Sequence, residues 1–273
     1  MKENCIPYTI VLPSSKKTGI LLSIPHCGTD FPTSIRQQFK SELIEHPGDT
    51  DSFLEKLYDF ATQMGITIIY SNYSRWVIDL NRSPKNHSLY NDGRIITSLC
   101  PTTNFLGENI YNDKKFEPGK NEIKRRLSDY YIPYHNKIDE ILKELKKEFK
   151  TIVLWDAHSI RRNVKTIQSN PFPDLILGNN FQKTASKKII STVLNVLQKS
   201  EYEVHHNSPF KGGYITRSKG NPTNYIHALQ LEMCKDLYMS ENETKFDTNK
   251  AEKIRKTLKN TLSTLINFTD ERI

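Results

Sequence analysis

The sequence has few cysteines and no long apolar run. Only four of its 273 residues are cysteines, and they have no paired spacing. This argues against a disulfide scaffold and favours a reducing cytoplasm. No apolar stretch approaches the ~20 residues that cross a bilayer, and the first residues lack the uninterrupted apolar core of a signal peptide. We therefore expect a cytoplasmic protein that does not associate with a membrane.

The charge balance is moderately basic, with 39 Lys and Arg against 31 Asp and Glu and a net charge of +8. The basic residues of 137–150 alternate with acidic ones, which favours a solvated helix face over a nucleic-acid surface. The charge suits a small anionic ligand, and we expect no nucleic-acid partner. It leaves the oligomeric state open. No repeat, low-complexity linker or boundary divides the chain, so we predict a single domain over 1–273.

The pattern of apolar residues predicts an α/β fold. Apolar residues occupy both faces of segments 20–25 and 151–155, as is typical of buried strands. Further strands are predicted at 66–70, 76–80, 174–177 and 227–233. Helices are predicted at 33–45, 52–64, 120–149 with a break or kink at Pro133, 182–199 and 247–267. Residues 85–119 lack periodicity and suggest a functional loop. This alternation predicts a mixed or parallel central sheet flanked by helices.

Two histidines lie at matching places in this pattern. His26 directly follows one buried strand, and His158 falls just past another. Ligands of open α/β sheets bind beyond the carboxyl ends of the strands. One such histidine is more often structural, but two favour a shared site.

A carboxylate extends this candidate site. Asp51 either caps a helix or, because Ser52 and Glu55 already fit a capping box, remains free to point elsewhere. Two imidazoles and a carboxylate are a ligand set of catalytic zinc. The chain has no His-Glu-x-x-His helix, so the site would be assembled from separate segments.

A second carboxylate, Glu232, lies in an apolar strand on the same face as Ala228 and Gln230. Burial would raise its pKa and suit it to general-base chemistry. A salt bridge to a buried Arg or Lys is the alternative. Arginine is suited to bidentate carboxylate binding, although any single arginine is weak evidence. The arginine candidates are Arg75, Arg82, Arg161 and Arg217. The phosphate-loop and Gly-x-Ser-x-Gly motifs are absent.

Taken in order, the short motifs resemble one known family. They are residues 23–29, 49–51, 73–82, 156–161, 173–178, 210–217 and 227–232, followed by Tyr238-Met239. This ordered set, from about residue 20 to 240, resembles the N-formylglutamate amidohydrolase family. Cys27, Trp76 and Tyr214 depart from the family pattern, and none of them is a proposed ligand.

The resemblance implies a zinc-dependent exopeptidase-like (phosphorylase/hydrolase-like) fold. It implies that His26, Asp51 and His158 bind Zn²⁺ and that Glu232 is the catalytic base. Asn81 and Arg82 resemble an Asn-Arg pair that binds a substrate carboxylate. We assign Arg75 to the oxyanion of the transition state. Arg161 or Arg217 is proposed for a second carboxylate.

The function implied is zinc-dependent hydrolysis of N-formyl-L-glutamate to L-glutamate and formate, a late step of histidine degradation. Two alternatives remain open at this point. The chain is a zinc amidohydrolase of another N-acyl amino acid or a short peptide, or it is a metal-free binding module on the same fold.

Overall fold

The computed structural model describes residues 6–45, 47–87 and 97–273. Its centre is a seven-stranded mixed sheet flanked by helices, so the predicted α/β fold with a mixed central sheet is confirmed. The strands are β1 (Tyr8–Val11), β2 (Ile20–Ile24), β3 (Thr67–Ser71), β4 (Ile152–Ile160), β5 (Leu175–Gly178), β6 (Val204–His206) and β7 (Ile226–Cys234).

The sheet has the order β1-β3-β2-β4-β7-β5-β6. Strands β3, β2, β4 and β7 run parallel to one another, β1 is antiparallel to β3, and β5 is antiparallel to β7. From β2 the chain passes first to β3 on one side and later to β4 on the other. The carboxyl ends of β2 and β4 therefore meet where the strand order reverses, which is where open α/β sheets bind ligands.

Helices cover both faces of the sheet. They are α1 (Thr33–Arg36), α2 (Ser41–Ile44), α3 (Leu54–Leu57), α4 (Lys120–Arg126), α5 (Ile132–Glu148), α6 (Lys187–Gln198), α7 (Tyr214–Lys219) and α8 (Thr248–Thr269). Helices α3, α6 and α8 share one large apolar cluster, and α1, α2, α5 and α7 share a second. Side chains of β4 enter these clusters alternately, since Val153 and Trp155 lie in the first and Ile152 and Leu154 in the second.

Several predicted elements differ from the structure. Residues 76–80 form turns and irregular backbone instead of a strand, because their apolar side chains are buried against the α5 cluster without pairing to the sheet. The predicted helix 33–45 is divided into α1 and α2, where Phe39 forms a bridge with Tyr111. The predicted helix 52–64 is α3 followed by a 3₁₀-helix, Asp59–Met64. Helices 182–199 and 247–267 and strands 66–70, 174–177 and 227–233 are present with shifted ends.

The capping box at Ser52 and Glu55 was a wrong prediction. The residue before α3 is Phe53, which has a φ of 62°, and no side chain caps this helix. The break or kink predicted at Pro133 lies elsewhere: Pro133 is in the first turn of α5, and the irregular part is a π-helix, Leu127–Tyr131, directly before α5. Strand β4 continues to Ile160 because β7 pairs with its full length, so His158 lies inside the strand and not past it.

The sequence patterns did not indicate three short elements, β1, β6 and α7. Part of the loop predicted at 85–119, residues 88–96, lies outside the described residues. Its remainder from residue 97 holds a 3₁₀-helix, Lys114–Phe116. In the described parts of the chain, no helix combines the length and apolar character needed to cross a membrane.

Candidate active site

Three buried side chains meet at the carboxyl edge of the sheet. They are His26, Asp51 and His158, and one potential ligand atom of each lies within 4.8 Å of the others. His26 follows β2, and His158 projects from β4. Asp51 precedes α3, where its backbone N–H donates to the carbonyl oxygen of His26 at 2.9 Å. The structure thus brings together three residues that are far apart in the sequence.

Both imidazole rings turn Nδ1 toward Asp51. The Nδ1 atoms of His26 and His158 lie 3.8 and 3.3 Å from Oδ2 of Asp51. Nε2 of His26 donates to Oδ1 of Asp79 at 2.8 Å. A carboxylate on the outer nitrogen fixes the ring tautomer and leaves the inner nitrogen as an electron-pair donor. His26 is therefore oriented as a metal ligand would be.

The outer nitrogen of His158 also has polar neighbours. It lies 3.2 Å from Oδ1 of Asp156 and 3.0 Å from Nδ2 of Asn81. Thr216 donates to the other oxygen of Asp156 at 3.0 Å. Asp156 is two residues before His158 on β4, so both side chains lie on the same face of the sheet.

Three inner atoms of this group lack a hydrogen bond of good geometry within the described ranges. Nδ1 of His26 and both carboxylate oxygens of Asp51 are buried and have no hydrogen-bond partner there. Buried polar atoms without partners are costly unless something compensates them. A cation bound between the imidazoles and the carboxylate would do so. These three residues could therefore hold a metal ion.

The pKa values of the two histidines are shifted in opposite directions. Burial lowers the pKa of His26 to about 4, so its ring is neutral near pH 7, as ligation requires. Burial acts in the same direction on His158, but Asp156 and Asp51 outweigh it and hold its pKa well above the usual value. The carboxylates around His158 therefore favour a proton or another cation.

Glu232 lies beside this group. The parallel register pairs His158 on β4 with Glu232 on β7, so their side chains leave the same face of adjacent strands. Burial raises the pKa of Glu232 to about 8. Its neighbour Gln230 donates to Oε2 at 3.4 Å. In the described residues no Lys or Arg forms an ion pair with Glu232, so the salt-bridge alternative has no support.

Arg75 is buried against the same group. Its Nη2 donates to Oδ2 of Asp79 at 2.6 Å, and its Nη1 donates to the backbone oxygen of Asp49 at 3.4 Å. The guanidinium carbon lies 4.6 Å from the ring centre of Phe105. Asp79 therefore links Arg75 to His26.

The other predicted binding residues are placed around this centre. Oδ1 of Asn81 accepts from the backbone N–H of Ile215 at 2.8 Å, so Asn81 connects His158 to α7. Nε of Arg82 donates to the carbonyl oxygen of Thr97 at 3.2 Å, and Nη1 lies 3.8 Å from Asp79. Nε of Arg217, on α7, donates to the carbonyl oxygen of Gly212 at 2.8 Å.

Arg161 directly follows β4, and its Nε donates to Oε2 of Glu243 at 2.8 Å. The sequence interpretation did not single out Asp79, Asp156 or Lys235 as site residues. Asp156 had a usable signal, since it is two residues before His158 in a strand. Lys235 follows β7 directly, and its side chain is only 3% exposed.

Fold and site together define an α/β protein with a candidate metal centre at the carboxyl edge of a mixed sheet. The family model described as N-formylglutamate amidohydrolase matches residues 18–239. An N-formylglutamate deformylase of Pseudomonas aeruginosa is 35% identical over 261 residues, covering 94% of this chain and 96% of that protein. One of Pseudomonas putida is 36% identical over 226 residues, covering 82% and 83%.

Solved structures show the same similarity. The N-formylglutamate amidohydrolase of Ralstonia eutropha JMP134 superposes with a TM-score of 0.79 at 25% identity, covering 97% of this chain and 98% of that one. A gene product of Agrobacterium tumefaciens shares the fold, with a TM-score of 0.73 at 16% identity and the same coverage. The chain belongs to the N-formylglutamate amidohydrolase family. It is a hydrolase that acts on an amide bond.

Proposed function

We propose that this protein hydrolyses N-formyl-L-glutamate to L-glutamate and formate in a zinc-dependent reaction, as a late step of histidine degradation in the cytoplasm. The names of its Pseudomonas relatives support the substrate. The observation that carries the proposal is the convergence of His26, Asp51 and His158 beside Glu232, with His26 Nδ1 and both Asp51 oxygens buried without hydrogen bonds to any described residue.

His26, Asp51 and His158 would hold the zinc ion, with Nδ1 of each histidine and the carboxylate as donors. Bound there, zinc would supply Lewis-acid chemistry, polarising a carbonyl oxygen and making water more acidic. Asp79 keeps His26 in the ligating tautomer through its 2.8 Å hydrogen bond.

Glu232 is the proposed general base. It would take a proton from the attacking water and give it to the leaving amine of glutamate. Burial raises its pKa to about 8, close to the range in which one group can accept and return a proton near pH 7. The side-chain amide of Gln230 donates to the Glu232 carboxylate at 3.4 Å.

The arginines would bind negative charge. Arg75 is proposed to stabilise the oxyanion that develops on the formyl oxygen. Arg82, with Asn81, is proposed for one substrate carboxylate, and Asn81 would place it next to His158. Arg161 or Arg217 would bind the second carboxylate, as bidentate pairing favours arginine.

Glutamate release from N-formylglutamate, measured with and without a chelator, tests the proposal. We expect activity that the chelator abolishes and zinc restores, and about one zinc per chain by elemental analysis. His26→Ala and His158→Ala should lose zinc and activity together, whereas the exposed His205→Ala should keep both.

Other outcomes would redirect the proposal. Turnover of N-formylaspartate, another N-acyl amino acid or a short peptide in place of N-formylglutamate would favour a different zinc amidohydrolase. A protein without metal or turnover would favour a binding module. Full zinc content and rate in either histidine variant would refute that ligand assignment.

A further inference from the structure

Two cations lie side by side just beyond the metal ligand and the proposed base. The β4–β7 register ends with Ile160 paired to Cys234. Arg161 and Lys235 directly follow these adjacent parallel strands, three positions after His158 and Glu232 respectively. Both therefore lie at the carboxyl edge where the candidate active site is formed.

Lys235 is a cation that the mechanism above does not use. Its side chain is 3% exposed, and Nζ donates to the carbonyl oxygen of Gly48 at 2.6 Å. Burying an ammonium group is costly unless an anion accompanies it. That anion is Glu243, whose Oε2 lies 3.9 Å from Nζ of Lys235 and accepts from Nε of Arg161 at 2.8 Å. One carboxylate oxygen thus faces both cations.

A small hollow lies beside this pair, and two of its lining residues contact Arg75. Lys235, Arg161, Asp49 and Phe105 line it together with Gly48, Leu106, Ser159, Ile160 and Val164. Asp49 and Phe105 both contact Arg75. The hollow has a volume of about 10 Å³, which is room for roughly one water molecule. A substrate carboxylate cannot be added beside Glu243 in this arrangement and must replace it.

Glu243 is placed so that it can be replaced. It belongs to the turn 240–245, which joins the end of β7 to α8 and is closed by its own hydrogen bonds between Ser240 and Lys245. Its φ of 55° is unfavourable for a residue with a side chain. Its side chain is 21% exposed and so is partly accessible to solvent. Exchange with another carboxylate keeps both cations paired.

We propose that Lys235 and Arg161 form the subsite for the side-chain carboxylate of the substrate, and that Glu243 occupies this subsite until a substrate carboxylate displaces it. This inference rests on the proposed function, deepens it by adding Lys235 and Glu243, and selects Arg161 over Arg217. Its ligand class is a dicarboxylic N-acyl amino acid, since a side-chain amide would leave both cations without an anion.

The test compares kcat/KM for N-formylglutamate and N-formylglutamine. In Lys235→Met we expect kcat/KM for N-formylglutamate to fall about 10- to 100-fold, as for the loss of a charge-assisted hydrogen bond. The value for N-formylglutamine should change far less. In Glu243→Gln the competing carboxylate is gone, so KM for N-formylglutamate should fall while N-formylglutamine is unaffected. Glu241→Gln and Lys245→Met, exposed in the same turn, should behave as wild type.

The outcomes separate the two proposals. An unchanged preference in Lys235→Met, or a Glu243→Gln variant that loses activity equally on both substrates, overturns the subsite. Should Lys235→Met fail to fold, Glu243→Gln alone decides. If wild type turns over neither substrate, the proposed function fails. The subsite is then decided by calorimetry, in which glutarate binding that tightens in Glu243→Gln supports it, and binding of glutarate no tighter than of its monoamide overturns it.

Discussion

Asp79 ties the candidate metal ligand to an arginine. Its two oxygens accept from Nε2 of His26 at 2.8 Å and from Nη2 of Arg75 at 2.6 Å. Oδ1 also accepts from the backbone N–H of Asn81 at 2.9 Å. This fully buried carboxylate therefore orients three groups with different proposed tasks. Burial opposes its ionisation, but Arg75, Arg82 and His26 hold its pKa well below the usual value.

Glu232 offers the sharpest test of the chemistry at the level of one residue. Glu232→Gln preserves the shape of the side chain but cannot accept a proton. We expect the variant to keep its fold and its zinc and to lose about 10²–10⁴ in turnover or more. Single-turnover kinetics combined with metal analysis measures this. Near-normal turnover would exclude Glu232 as the base, and loss of folding would revive the salt-bridge alternative.

At the scale of elements, α4, the π-helix and α5 support the irregular segment 74–82. Nη1 of the buried Arg126 donates to the carbonyl oxygen of Val77 at 3.0 Å. Nε2 of His135 bonds the carbonyl oxygen of Leu80 at 2.8 Å, and its ring stacks on Tyr131. These contacts satisfy backbone groups that a strand would have paired. The segment can therefore present Asp79 and Asn81 without belonging to the sheet.

His135 makes this support sensitive to pH. Burial lowers its folded-state pKa from 6.5 to about 4. Below pH 6.5 the imidazole takes up a proton in the unfolded chain but not in the folded one. The contribution of His135 to the free energy of unfolding is therefore complete above pH 6.5 and is lost as pH falls toward 4. The free energy of unfolding lost in this way is on the order of 3 kcal/mol.

We expect His135→Gln, whose amide can still donate to Leu80, to show a weaker loss of stability between pH 6.5 and 4 than wild type. Urea unfolding at a series of pH values measures the slope. His205→Gln on β6, an exposed position, is the control and should keep the wild-type slope. An identical slope in His135→Gln would show that His135 does not titrate in this way.

The sequence predicted the elements that are buried on both faces and missed those defined by pairing alone. Segments 20–25 and 151–155 were found because apolar runs mark central parallel strands. The run at 76–80 looks similar because burial, not pairing, selects its residues. The edge strands β1 and β6 have only four and three residues, all of them half-buried or exposed. Such short segments show little hydrophobic periodicity in the sequence.

The same limit applies to the site. The sequence predicted His26 and His158 just past buried strands and Glu232 within an apolar strand. The structure brings them together with Asp51, although His158 lies inside β4. Asp79 and Glu243 could not be found in this way. Their positions depend on how loops from distant parts of the chain fold over the sheet edge, which local periodicity does not record.

At the scale of the whole molecule, the two apolar clusters lie on opposite faces of one sheet and share its central strands. If the sheet came apart, both clusters would be exposed to solvent together. We therefore propose that 1–273 is one catalytic domain, and we expect a single cooperative unfolding transition. Zinc should raise the melting temperature of wild type, since it binds the folded state, but not that of His158→Ala. Calorimetry with and without zinc measures both; two separate transitions would contradict the single domain.

The nine paired positions of β4 and β7 also limit how this protein can change in length. Alternation along a strand means that inserting or deleting one residue turns every later side chain to the opposite face. Such a change within Ile152–Ile160 before position 158 would turn His158 away from Glu232. Point substitutions in these strands leave that alignment intact. Length variation among homologues should therefore accumulate in connecting turns such as 240–245, where an added residue changes the approach to the site but not the meeting of ligand and base.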